Sequence, residues 1–226
     1  MKHLVVLTGA GMSAESGIKT FRDEDGLWEG HDVMQVASPE GFRANPQLVL
    51  DFYNQRRRQL LTVKPNMAHY DLANLESQFK TTIITQNIDD LHERAGSSHV
   101  VHLHGELFKA RSTFDAHDVV EWKKDIILGD VCKKGYQLRP HIVWFGEEVP
   151  MIEKAVSICE TADILMIIGT SMQVYPAASL MHYVPQKTPT FFIDPKPNIS
   201  NQKNLTVIAE KATVGVEKVI EMLRYL

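Results

Sequence analysis

Four short stretches of this chain carry residue types that can bind and activate a nucleotide. The first spans residues 6–22, VLTGAGMSAESGIKTFR, where an apolar segment runs straight into a turn of glycines and small residues. Gly9 and Gly11 allow a tight turn and let a ligand approach the main chain, and the small residues after them can open a helix whose positive end faces a pyrophosphate. The spacing departs from the dehydrogenase fingerprint, because the third glycine arrives at Gly17 and not three residues after Gly11. A plain hydride-transfer reading loses weight accordingly. Taken alone, the stretch is also compatible with an ordinary glycine-rich turn.

The second stretch is Gln86-Asn87-Ile88-Asp89. Its amide and carboxylate groups can hydrogen-bond ribose hydroxyls and a carboxamide without filling a pocket, although an Asn or Asp here can equally cap a helix over residues 88–94. The third is His104-Gly105, an imidazole able to change charge near neutral pH. Its bland alternative is a strand-end histidine that satisfies a backbone carbonyl, and that is the reading preferred for His102. The fourth is Gly169-Thr170-Ser171. Each stretch ends an apolar run, and ligands of open α/β sheets bind beyond the carboxyl ends of the strands, so the four are expected to converge on one crevice.

The elements that position them follow from hydrophobic patterning. Apolar runs at residues 3–7, 82–85, 100–103, 141–145, 164–168, 190–193 and 205–209 are short, often β-branched and separated by helical patterns. That alternation predicts an α/β fold with a parallel, doubly wound sheet. Helices are expected at 46–61, 67–78, 151–161, 176–183 and 214–225, the first with Asn45 as N-cap and Pro46 at its first position. Residues 29–79, mostly helical, and 109–139, polar and irregular, do not fit the sheet-and-helix rhythm.

With 226 residues the chain makes one domain, or one domain with a small inserted module. A net charge of −4 argues against bulk electrostatic binding to nucleic acid. The apolar N-terminal run is too short to span a membrane and breaks into glycines without a signal-type cleavage region. Cys132 and Cys159 provide no disulfide framework and suit a reducing compartment, so a cytoplasmic protein is expected.

The chain resembles the sirtuins, the NAD-dependent protein lysine deacylases, over nearly its whole length. The likeness rests on GAGMSAESGI with TFR, GLW at residues 26–28, TQNID, HG, VWFGE at residues 143–147, and GTSMQVYPAA. It is nearest to compact bacterial members with little beyond the catalytic core. The resemblance implies a single catalytic domain over 1–226, with a Rossmann-like large part at about 1–28, 80–108 and 140–226. A small part at about 29–79 and 109–139 would leave a cleft for NAD and an acyl-lysine peptide.

It also implies roles. His104 would be the base that deprotonates a ribose hydroxyl after the acetamide oxygen displaces nicotinamide, and water would complete release of free lysine and O-acyl-ADP-ribose. Gln86 and Asn87, the latter counted with His104 as catalytic, would hold the nicotinamide ribose and its water, and Asp89 the nicotinamide amide. Gly9, Ala10, Gly11, Ser13, Gly169, Thr170, Ser171, Asp194 and Ala212 would border the cofactor, with Phe21 and Arg22 on a cofactor loop. Asp194 stands where many sirtuins carry Asn, and Lys19 where they carry Pro. Val143, Phe145 and Gly146 would bind the peptide, which would add a strand between residues 143–147 and 172–174.

Two features refine this. Sirtuins carry two Cys pairs around a structural zinc, but here Ser112 and Asp115 occupy the first pair's positions and Cys132 alone represents the second. One thiol with Asp115, His117 or Asp118 is a poor zinc set, and the small part is expected to fold without metal. Tyr53-Asn54-Gln55-Arg56 has the Tyr-x-x-Arg spacing of sirtuins that remove succinyl and malonyl groups. Residues three apart share a helix face, so a phenol and a guanidinium can clamp a distal carboxylate. A solvated basic face over Arg56, Arg57 and Arg58 is the alternative.

The expected partner is thus the acylated lysine of a protein, met by a monomer, with no direct nucleic-acid or membrane contact. Transfer of ADP-ribose to a protein nucleophile and a non-catalytic NAD or ADP-ribose sensor are the competing readings. Both are disfavoured by the joint presence of His104, Asn87 and Asp89.

Overall fold

The computed structural model describes residues 1–19, 27–28 and 30–225. In chain order its elements are β1 (His3–Thr8), α1 (Ala10–Ala14), β2 (Leu27–Trp28), β3 (His31–Asp32), α2 (Val33–Val36), α3 (Pro39–Ala44), α4 (Pro46–Thr62) and α5 (Met67–Asn74). There follow β4 (Lys80–Thr85), α6 (Leu91–Ala95), β5 (Val100–His102), β6 (Gly105–Ser112), β7 (Val119–Glu121), β8 (Leu138–Ile142), α7 (Ile152–Cys159) and β9 (Ile164–Ile168). A 3-10 turn at Ala177–His182, β10 (Thr190–Ile193), β11 (Leu205–Ile208) and α8 (Ala212–Leu223) complete the chain.

Six strands form one parallel sheet in the order β11-β10-β9-β1-β4-β5. Both faces are covered, which is why β1, β9 and β10 are buried at every position and read as unbroken apolar runs. Alternate residues serve the two layers: Leu4, Val6, Met166 and Ile193 pack with Leu72 of α5 and with Val216 and Val219 of α8. Val5, Leu7, Ile167 and Phe192 pack with Ala155 and Cys159 of α7 and Leu180 of the 3-10 turn. The strand order reverses around β1, so the loops after β1 and β9 flank a topological switch point.

The α/β, doubly wound expectation holds, with five corrections. Residues 109–139 are not irregular: β6 pairs antiparallel with both β7 and β8 in a separate three-stranded sheet. The strand expected at 141–145 lies at Leu138–Ile142 in that sheet, and the chain then turns at Gly146, whose φ of +88° favours glycine. The segment at 176–183 is a 3-10 turn, and α8 begins at Ala212. The helix expected to run over 67–78 ends at Asn74, and its Ala68 and Leu72 pack on the parallel sheet, so the inserted module stops short of it.

That module is built on α4, where the Asn45 side chain accepts from Leu48 N–H at 3.0 Å and Pro46 opens the helix as expected. Phe52, Tyr53 and Leu60 of α4 pack with Leu107 and Phe108 of β6 and with Ile142 and Trp144. Leu50 joins Ala110, Ile126 and Leu138 in a neighbouring cluster. Asn54 fastens the helix to the strand connection, its amide bonding both the N–H and the carbonyl of Ile126.

Candidate active site

The glycine loops are fitted to each other. Gly11 N–H donates to Gly169 O at 2.8 Å and Gly9 N–H to Ile168 O at 3.0 Å. A Cβ on Gly9 would lie 2.8 Å from Gly169 O, and one on Gly11 2.6 Å from Gly169 Cα. Gly169 has φ +61°, and a Cβ there would lie 2.4 Å from Met12 N. The glycines at 9 and 11 thus serve loop-to-loop approach in addition to any ligand. The helix they open, α1, has only five residues, so it offers only a short dipole.

Side chains from the end of β4 cross-link these loops. Asn87 Nδ2 donates to Gly9 O at 3.0 Å and to Ser13 Oγ at 3.1 Å, and Ser13 Oγ donates to Asp89 Oδ2 at 2.9 Å. Gln86 Nε2 donates to Thr170 Oγ1 at 3.0 Å. Gly9, Gly11, Ser13, Gln86, Asn87, Asp89, Gly169 and Thr170 therefore form one connected network, and Ala10 lies within it at the start of α1. The capping alternative for Asp89 is also real, since its Oδ1 accepts from Leu91 N–H at 3.2 Å. Burial raises the Asp89 carboxyl to about 6, against the opposing pull of the Ser13 and Leu91 hydrogen bonds.

His104 joins the network through its ring. Nδ1 lies 3.0 Å from Gln86 O, an acceptor, so Nδ1 carries the proton and Nε2 keeps its lone pair. Burial holds the ring below the usual histidine range, which favours that neutral form. Gly105 is needed for packing: its φ is +80° and a Cβ would fall 2.0 Å from His141 O. His104 O in turn accepts from Val143 N–H at 2.9 Å, tying this histidine to residues 143–147.

The remaining predicted residues sort into three groups. Asp194, at the end of β10, is buried, with its Oδ1 accepting from Lys196 N–H, and Ser171 O accepts from Asn198 Nδ2. The Ala212 side chain lies in the apolar cluster under α8, so a ligand would meet this residue only through its backbone. Phe21 and Arg22 lie outside the described residues.

Val143 and Phe145, expected to bind the peptide, lie in the turn after β8, where Phe145 N–H donates to Ala37 O and Phe145 and Gly146 are exposed. This turn is held by Glu147, the last residue of the VWFGE motif, to which motif reading gave no role of its own. Glu147 accepts from Arg139 at 2.6 and 3.0 Å, from Arg111 at 3.0 and 3.1 Å, and from Trp144 N–H at 2.8 Å. Arg111 and Arg139 face each other across β6 and β8, so two like charges share one carboxylate. Burial would push the Glu147 carboxyl up, but the arginines hold it below the usual range. The Arg139 guanidinium also stacks 3.2 Å from the Trp144 ring centroid.

Tyr53 is wholly buried and its hydroxyl accepts from Trp144 Nε1 at 3.0 Å. Burial raises its pKa, so it is a neutral phenol whose own proton is free to be donated. The Arg56 guanidinium lies 3.2 Å from the Phe52 ring centroid and 5.2 Å from that of Trp28, and donates to Phe52 O at 2.6 Å. The basic-run alternative fails at Arg57: it is fully buried, bonded to Leu107 O and Asn54 Oδ1, and pushed down to about 10 by burial.

The zinc positions do not fit the metal. Ser112 Oγ accepts from the N–H groups of Phe114 and Asp115. Asp115 accepts from His117 N–H and pairs with Lys134 at 3.3 Å. Among the described residues no group of three or more His, Cys, Asp or Glu side chains could hold a metal ion, and no helix is long and apolar enough to cross a membrane.

The donor set on the parallel sheet, with glycine backbones, amides, hydroxyls and two buried carboxylates around a switch point, suits a dinucleotide. Residues 9–176 match the profile of the Sir2 family. A Helicobacter pylori protein named NAD-dependent protein deacylase is 58% identical over 98% of this chain and 99% of its own length. One of the same name from Bacteroides thetaiotaomicron is 56% identical over 99% and 98%. A crystal structure of a Sir2 homolog–NAD complex superposes with a TM-score of 0.88 at 39% identity, covering 99% of this chain and 90% of that one. The chain belongs to the Sir2 family and, like these relatives, is an NAD-dependent protein deacylase.

Proposed function

We propose that this deacylase releases nicotinamide and O-acyl-ADP-ribose from NAD and an acyl-lysine protein, with His104 as the base. The observation that carries the assignment is the bond from His104 Nδ1 to Gln86 O, which leaves Nε2 as the proton acceptor in a ring kept neutral by burial. NAD supplies a ribose carbon activated by the departing nicotinamide. Asn87, fixed to Gly9 and Ser13, orients the ribose side of the crevice, and Asp89 receives the carboxamide. The peptide would pair with the turn at Val143, Phe145 and Gly146 and with residues 172–174. The protein works as a monomer in the cytoplasm and needs no structural zinc.

The acyl chain enters beside α4, where it meets Tyr53 and Arg56. A phenol with a proton to give and a guanidinium set against aromatic rings together complement a carboxylate. The protein therefore accepts succinyl- and malonyl-lysine in addition to acetyl-lysine. Incubation with NAD and acetyl or succinyl peptides, read by mass for nicotinamide and O-acyl-ADP-ribose, tests both statements. Arg56→Met should raise KM for the succinyl peptide by roughly ten- to a hundredfold, the worth of one charge-assisted contact, and spare the acetyl peptide. Equal losses on both would assign Arg56 to the fold.

A further inference from the structure

Asn87 is anchored at both ends of its backbone. Its N–H donates to Thr85 Oγ1 at 3.0 Å, and Thr85 Oγ1 also accepts from Thr8 Oγ1 at 2.8 Å. Thr8 Oγ1 meets the buried His92 Nε2 at 3.0 Å. On the other side, Asn87 O lies 3.0 Å from Nδ1 of His102, whose Nε2 lies 2.8 Å from Glu93 Oε1. The carbonyl can only accept, and so can an ionised carboxylate. Both nitrogens of His102 must then carry protons, in contrast with His104 two residues on.

The surroundings agree. Burial alone would lower the His102 pKa, but the hydrogen bond and charge of Glu93 raise it, aided by Glu106, and Glu93 is held below its usual range in return. Asp89 and His92 also feel this charge: it draws Asp89 toward ionisation, and it adds to the burial and the nearby His69 that keep His92 neutral.

We propose that His102 is a positioning residue of the deacylase, an imidazolium clamped between Glu93 and Asn87 O that sets where the Asn87 side chain reaches the crevice. The glutamate fixes the ring, and the ring fixes the peptide unit after Asn87. That unit sets the Asn87 amide, which holds Gly9 and Ser13. The proposal rests on the reading that Asn87 borders the reacting ribose.

Two amide substitutions separate the ends of the clamp. His102→Asn puts an amide nitrogen where Nδ1 lies and keeps the bond to Asn87 O, whereas His102→Gln reaches Glu93 and gives up Asn87. With NAD and acetyl peptide, His102→Gln should lower kcat roughly ten- to a hundredfold, the equivalent of one hydrogen bond to a charged group, at an unchanged melting temperature. His102→Asn should recover most of that loss. Equal kcat in the two variants, or normal kcat in His102→Gln, would overturn the proposal. Asn87→Ala is the reference: normal turnover there would overturn the reading of Asn87 itself, and impaired turnover there beside a normal His102→Gln would overturn the clamp alone. Should His102→Gln not fold, His102→Ala gives up both anchors and must lower kcat in its place, with His102→Asn again recovering most of the loss.

Discussion

The parallel sheet and the antiparallel sheet of β6, β7 and β8 are joined through the bond from Val143 N–H to His104 O but are held together differently. On the parallel sheet, the loops after β1 and β9 meet main chain to main chain, and glycine is required because a Cβ would strike backbone. On the antiparallel sheet, the turn at residues 143–147 is held by side-chain charge, with Glu147 drawing Arg111 and Arg139 together. The first arrangement tolerates almost no change at a few positions. The second depends on charge balance and can be dismantled one group at a time.

The sharpest way to break the first arrangement is Gly169→Ala. The new Cβ would meet Met12 N at 2.4 Å in a backbone already at φ +61°, so the two loops must separate. Displacements of this size in a positioned site cost on the order of a hundredfold in rate, and deacylation should fall at least that far. Wild-type turnover in this variant would show that the glycine contact is dispensable.

Glu147→Gln tests the second arrangement. It leaves two nearly buried guanidinium groups without their shared counter-charge, and breaking a buried pair typically costs about 3–5 kcal/mol. For a chain of this size that lowers the melting temperature by about 10 °C. A shift within a degree or two would mean that the two arginines find other acceptors.

A smaller effect of opposite sign is expected at Asp89. Its folded pKa of about 6 lies above its ordinary value of 3.8, so the unfolded chain releases this proton first as pH rises. Stability is therefore lost between about pH 4 and pH 6, and the penalty persists at neutral pH. Asp89→Asn should raise unfolding stability at pH 7 by about 3 kcal/mol and leave it nearly unchanged near pH 4, while impairing catalysis. Denaturation midpoints at the two pH values read this directly, and an equal gain at both would remove the carboxylate from the explanation. The smallest effect concerns metal. A chelator should leave the melting curve where it was, because Ser112 already accepts from the Phe114 and Asp115 N–H groups and Asp115 is paired with Lys134. Loss of several degrees would mean that a metal is held.

The two regions also differed in how far the sequence disclosed them. Strands covered on both faces have a local signature, so β1, β4, β9 and β10 were legible to within a residue or two, as were the glycines and polar residues at their ends. The antiparallel sheet had no such signature. Leu138 and Arg139 gain meaning only against Ser112 and Arg111 of β6, through pairings that no local window contains. Glu147 ended a motif without suggesting that two arginines from other strands would meet on it. Arg57 looked like one member of a basic run, and its burial follows from Asn54 and Leu107 O, neither of which marks an arginine as internal. His102 was rightly read as satisfying a carbonyl. The glutamate behind it sits on α6, and only the fold brings the two together.

The pairing of Gly11 with Gly169 has a consequence for how the protein is made. The N-terminal strand is synthesised first, yet one of its two neighbours, β9, emerges only after α7, and the crevice has no second wall until then. Contacts this distant along the chain require closure of a long loop and form slowly. Throughout synthesis of the first two thirds of the molecule, β1 can pair with β4 alone, and its other edge stays open to water or to a chaperone. A nascent chain halted before Ile168 thus carries the first glycine loop complete in sequence but has nothing for it to close against.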